Sequence, residues 1–418
     1  MTTAVREQTE LTPCIERWEV EVIRGLAEQV AEIAAASRMA AIRARWRAVN
    51  GLRKPDRAPV YCRPIGCWRE LLPPETLACR TGWLRGMEQA FRKILLKREI
   101  DDDTPVSPHY AVPAVFEVDP PNTWGLDIGQ TRPAESDGAW AYDPPLRTES
   151  DYDKLCAPHF TYNEPATRRR LEQVSEVLGD ALPVKLVCLP PLTANICTFA
   201  AKLRGLEQMM LDMALNPELM HRLMAHLRDA VLTAMDQVEA TGLLTPNNEG
   251  PMFCSDPFGP APVAGRYGYR NCWSIANSQE CDQVSPAMWE EFALTYEKAI
   301  FARFGLVQYG CCENLTHKID RVLTIPNLRV FVSSAWTDLD KVIEAVGTDY
   351  CIMWRQKATD VVFPADVSSI KAHLDEGTRK LKGQYYQLVL RELQTLAGHM
   401  DRLHVWAQLA KEAGARHV

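Results

Sequence analysis

The sequence contains no apolar run near the ~20 residues that a bilayer-spanning helix needs. Residues 1–10 are polar and lack the apolar core of a secretory signal. Positive charge is not in excess: 47 Lys and Arg stand against 54 Asp and Glu, a net charge of −7. Chains that coat nucleic acid or anionic lipid carry the opposite balance, so neither partner is expected. No G-x-G-x-x-G follows the first strand-like run, and no G-x-x-x-x-G-K-[ST] occurs. These absences count against dinucleotide and P-loop folds. The paired C-x-x-C of a zinc ribbon is missing as well.

Cysteine, by contrast, is plentiful, with 13 in 418 residues. An odd number leaves at least one thiol outside any intramolecular disulfide scheme, and a chain this long buries a core without staples. A cytoplasmic protein with reduced thiols is expected. Cys14, Cys79, Cys156 and Cys197 read as small buried hydrophobes.

Residues 1–50 read as an N-terminal helical arm, with Ile15, Trp18, Val22, Ile23 and Leu26 at helical spacing. Its apolar face should pack on the body or on a second subunit, and the second case would make a homodimer. Residues 51–418 alternate strand-like runs with helical stretches. The runs are 60–65, 111–118, 184–189, 251–255, 306–309, 329–333, 350–354 and 386–390. Eight such runs predict an α/β fold, a (β/α)8 TIM barrel with the N-terminal helical extension. Residues 119–162, rich in Pro, Asp and Trp, read as a loop insertion over one end.

Barrel chemistry sits where strands end. After the fifth run comes Gln308-Tyr309-Gly310-Cys311-Cys312-Glu313-Asn314. Thiolate and carboxylate both ligate zinc. Neighbouring strand residues point to opposite faces, so one of Cys311 and Cys312 faces the axis unless the chain bends there. The plainer reading makes both buried small residues and Glu313 a helix cap. Glu280, in Ser278-Gln279-Glu280-Cys281, is a candidate ligand or general base, or else a carboxylate at a helix start. Asp256 closes the 251–255 run and is a second candidate base, or a turn residue before Pro257. Glu392 ends the eighth run. Arg63 ends the first, where a guanidinium suits an anionic group. His109, ahead of the second run, is a substrate contact without a motif behind it. Trp273, with Tyr267 and Tyr269, is an aromatic candidate for a pocket wall.

These residues carry a resemblance. The stretch 272–329 contains SQE at 278–280, SPAMWEEF at 285–292, FG at 304–305, YGCCEN at 309–314 and IPNLR at 325–329. WRAVN at 46–50 and TDLDKVIEAVG at 337–347 fit the same pattern. The chain resembles the uroporphyrinogen decarboxylase superfamily, in particular its cobamide-dependent methyltransferase branch. That resemblance implies a (β/α)8 barrel with its site at the C-terminal mouth. In the zinc methyltransferases of this branch, His-x-Cys at the end of a middle strand and a later Cys hold the metal.

Here Tyr309 stands where that His would be, Cys311 matches the Cys, and no cysteine follows Cys351. Glu392 lies near the place of the late Cys. A zinc set drawn from Cys311, Cys312, Glu313 and Glu392 is therefore expected, with Glu280, Tyr309 and Asp256 as catalytic groups. No D-x-H-x-x-G occurs, so a cobamide would be carried by a separate corrinoid protein. The expected function is methyl transfer between a small-molecule methyl donor or acceptor and that cobamide. The alternative is a metal-independent decarboxylase or lyase, with Arg63 holding a carboxylate and Asp256 or Glu280 moving a proton. Arg63 and Arg69 match the Arg-rich loop of the decarboxylases only in part. A third reading is a non-catalytic binding protein.

Overall fold

The computed structural model describes residues 15–132 and 141–417. Cys14 and residues 133–140 of the expected insertion lie outside that set. The arm forms two helices, α1 (Arg17–Ala35) and α2 (Arg38–Asn50). On α1 the residues Ile23, Leu26, Ala27, Val30 and Ala34 are buried, one stripe at helical spacing. They pack in one cluster with Leu84, Met87 and Phe91 of α3 (Gly82–Ile100). Glu19 joins the two helices: its carboxylate accepts from the backbone of Arg80 and Thr81 and from the Thr81 hydroxyl at 2.7–2.9 Å. The arm thus uses its apolar face on its own body. No helix among the described residues is long and apolar enough to cross a membrane.

Eight parallel strands follow: β1 (Val60–Pro64), β2 (Tyr110–Pro113), β3 (Val184–Val187), β4 (Trp273–Ala276), β5 (Leu306–Tyr309), β6 (Leu328–Ser333), β7 (Cys351–Gln356) and β8 (Tyr385–Leu393). Six form one parallel sheet in the order β1-β8-β7-β6-β5-β4, and β2 pairs with β3 in a separate ladder. The result is a mixed α/β fold whose hydrogen-bonded ladder is interrupted twice, rather than a continuous eight-stranded barrel. The run at 251–255 is not a strand. Met252 has φ +70, which breaks an extended chain. The strand of that region is β4.

Alternation divides the strands between two cores. Val330, Val332, Cys351, Met353, Val389 and Trp273 share the inward face with Ile42, Trp46 and Val49 of α2. Phe331, Ile352, Trp354, Leu388 and Leu390 face the surrounding helices. Asn50 locks α2 into the inward face. Its amide donates to the carbonyls of Met252 (3.1 Å) and Cys254 (2.9 Å), and its oxygen accepts from Gln387 at 2.8 Å.

Side chains stitch the two interruptions. At the free edge of β1, the Val60 N–H donates to Asp103 Oδ2 (2.8 Å) and the Cys62 N–H to Asp102 Oδ2 (2.9 Å). Arg57 and Lys97 neutralise the two carboxylates. Between β3 and β4, Thr245 exchanges bonds with the backbone of Cys188, and Asn247 with the backbone of Trp273. Exposed edge groups are thereby satisfied without a continuous ladder. The 119–162 region holds two short antiparallel pairs in place of a structureless loop, Gly129–Thr131 with Ala141–Asp143 and Phe116–Asp119 with His159–Tyr162.

Candidate functional site

The chain leaves β5 through Gly310, which has φ +112. A Cβ there would lie 2.9 Å from Val332 and 3.1 Å from Leu315, so only glycine suits both the conformation and the space. This bend resolves the choice between the two thiols. Cys311 Sγ and Cys312 Sγ lie 3.4 Å apart, both half-buried, and Cys312 Sγ is 3.3 Å from Glu392 Oε1.

Glu392 arrives from β8 through a bulge. Cys62 is level with Leu390 and Pro64 with Leu393, so Arg63 alone faces two residues, Arg391 and Glu392. Glu392 itself takes φ +61. A bulge of this kind re-aims a side chain. Regular alternation would send Arg391 and Glu392 to opposite faces; here Glu392 also reaches inward.

Arg355 completes the cluster. It lies on the inward face of β7, 1% exposed, and its Nη1 donates to the Cys311 carbonyl at 2.6 Å and to Glu392 Oε1 at 3.3 Å. Cys312 Sγ donates to Glu392 Oε1 and shares a second, S–H···S hydrogen bond with Cys311. That bond, with Arg391 and Arg355 nearby, pulls the Cys311 thiol down to about 5. The same bond, together with burial, pushes the Cys312 thiol up. These surroundings favour the thiolate form of Cys311, the nucleophilic one. Burial pushes the Arg63 and Arg355 guanidiniums down, and Arg391 pushes both further.

The other expected residues stand elsewhere. Glu313 is 2% exposed and holds the loop together, accepting from the backbone N–H of Ser278 (3.1 Å) and Cys311 (2.9 Å). Burial pushes its carboxyl up. Tyr309 is fully buried on the outward face, its ring against Trp289 and Phe301 and its hydroxyl on Ser278 and Glu297. Glu280 accepts from Thr198 Oγ1 at 2.6 Å. Asp256 pairs with Arg53 and Arg47 in a cavity of about 550 Å³ beside α2. His109 precedes β2 and pairs with Glu249 at 3.5 Å, and burial pushes its imidazole down. Trp273 opens β4 rather than following a strand; its indole donates to Ser255 Oγ at 3.1 Å. Thus Cys311, Cys312, Glu392 and Arg63 come together, and Glu280, Tyr309, Asp256, His109 and Trp273 do not join them.

Two residues gain weight that the sequence did not give them. Arg355 was signalled only as a lone charge inside the apolar run Cys-Ile-Met-Trp-Arg-Gln. Arg391 was visible at a strand end but had no role. Cys79 and Cys197 are buried as expected, whereas Cys156 is exposed.

Among the described residues no group of three or more His, Cys, Asp or Glu side chains is arranged to hold a metal ion. Glu313 is committed to backbone amides, and the Arg355 guanidinium lies on Glu392, where a cation would compete with it. The residues present do not fit zinc.

No family profile and no curated protein matches this chain. Among solved structures, a methyltransferase from Methanosarcina mazei is similar over 89% of this chain and 98% of its own length. The identity is 12% and the TM-score 0.48. A likeness at that level carries no functional argument, and the superfamily stays an inference from the motifs.

Proposed function

We propose that this chain is a methyltransferase whose acceptor group is the Cys311 thiolate. The observation that carries the proposal is the placement of Cys311 at the end of β5, its Sγ 3.4 Å from Cys312 Sγ and its carbonyl on the Arg355 guanidinium. The methyl chemistry comes from the motif resemblance. In the transfer, Cys311 Sγ attacks a methyl carbon. The C–S bond forms as the bond to the leaving group breaks, and the leaving group departs with the electron pair; passing the methyl on to a reduced cobamide would break that C–S bond and return its electron pair to Sγ as thiolate. Cys312 steadies the thiolate before attack. A cobamide on a separate corrinoid protein would supply the exchange partner. Exposed Trp336, Phe363 and Met400 follow β6, β7 and β8 at the same end of the sheet, which suits the approach of an apolar-faced partner.

Free methylcobalamin is the direct probe. Incubation followed by peptide mass analysis should show one added methyl on Cys311, absent in Cys311→Ser. An unmodified Cys311 after full exposure would remove the proposal. The lyase alternative draws less support, because Asp256 and Glu280 are bonded outside the cluster that contains Arg63.

A further inference from the structure

We infer that Arg63, Arg355 and Arg391 form a carboxylate-binding subsite beside Cys311, so that the substrate is a monocarboxylate. This deepens the methyltransferase reading and rests on Cys311 as the reacting group.

The register of the sheet carries the inference. β1, β8 and β7 are consecutive neighbours. Arg63 faces Arg391 across the bulge, and Arg355 is level with Val389, one pleat below Arg391 on the same face. Neighbouring strands lie about 4.8 Å apart, so three guanidiniums crowd one corner of the strand ends. Like charges on adjacent strands are destabilising unless something offsets them. The acids beside them are Glu392 and Cys311. Three guanidiniums thus face one carboxylate and one thiol.

Donors are left over. Arg355 Nε and Arg391 Nε are buried and make no hydrogen bond within the protein. Arg355 is almost wholly buried, and an unpaired donor there is costly until an acceptor arrives. A carboxylate supplies the missing charge and accepts in the planar geometry that guanidinium favours. Ile275 shares the inward face of β4 with Trp273, yet it is 41% exposed, so the sheet is open to solvent at that height.

Alkylation of Cys311 tests this without any cofactor. Iodoacetate and iodoacetamide deliver similar carbons to a thiolate, one with a carboxylate and one without. Relative to N-acetylcysteine, the iodoacetate to iodoacetamide rate ratio at Cys311 should rise about tenfold or more, as expected of a focused field. Arg63→Gln and Arg391→Gln should each lower it, Arg391→Lys should retain most of it, and about 1 M salt should erode it. A ratio equal to that of N-acetylcysteine, with Cys311 still fast toward iodoacetamide, overturns the subsite and leaves the thiolate standing.

If Cys311 reacts with neither reagent, the methyltransferase reading falls. Benzoate against benzamide then decides the subsite. Benzoate alone should raise the melting temperature of the native protein and not of Arg391→Gln. Equal shifts from both compounds, or none, would overturn it.

Discussion

Cys312 matters through one proton. Its Sγ lies 3.4 Å from Cys311 Sγ and 3.3 Å from Glu392 Oε1, and the first of these contacts does most to pull the Cys311 thiol down. Only the thiolate alkylates, so the iodoacetamide rate at Cys311 should stay level from neutral pH downward and fall as pH drops through about 5. In Cys312→Ala the donated proton is gone, and the fall should begin at higher pH. A rate–pH profile of both proteins checks this; coincident profiles would contradict the assignment. The two thiols, Arg63 and Glu392 were legible because each ends a strand-like run of the sequence. Tyr309 was misplaced because strict alternation puts it on the opposite face from Gln308, toward the helices. The inward turn of Glu392 was not legible at all. It depends on a bulge against β1, and no local pattern in β8 announces the partner strand's register.

Helices and strands were easier to read than their partners. Seven of the eight strands overlap runs visible in the sequence; the exception is β4, where the sequence points to 251–255 and the strand is Trp273–Ala276. The error has a physical source. Met252 and Cys254 are buried and apolar like alternate residues of a strand, but their carbonyls are met by the Asn50 side chain rather than by a ladder. Asn50→Ala should leave the Cys254 carbonyl without a partner, while Met252 keeps the Gln387 amide, at a cost of about 1–3 kcal/mol. Urea denaturation measures it, and an unchanged midpoint would show that water replaces the amide. The helix Ser368–Lys380 meets β7 at Gly377, where a Cβ would collide with the Trp354 indole. Gly377→Ala should therefore cost about 1–3 kcal/mol by overpacking, read by the same titration.

The molecule as a whole is a six-stranded body and a two-stranded unit joined by side-chain stitches. Asp102 is the most loaded of these, since it bonds the Cys62 N–H and neutralises buried Lys97. Asp102→Ala leaves that ammonium buried and unpaired, with an expected loss of about 3–5 kcal/mol. Hydrogen exchange should place the loss, with the Cys62 amide exchanging faster than that of Ile352 in the middle of the sheet. Protection of Cys62 equal to wild type would mean that the stitch is not what closes that edge. The pairing of β1 with β8 also has a consequence for synthesis. Val60 is aligned with Leu388, so the first strand emerges from the ribosome long before its neighbour exists. Arg63 meets Arg391 only when translation has passed β8, and Glu392 reaches Cys312 at the same moment. A chain released before that point carries both thiols but neither Arg391 nor Glu392. The charged corner is assembled late, when nearly the whole chain has been made.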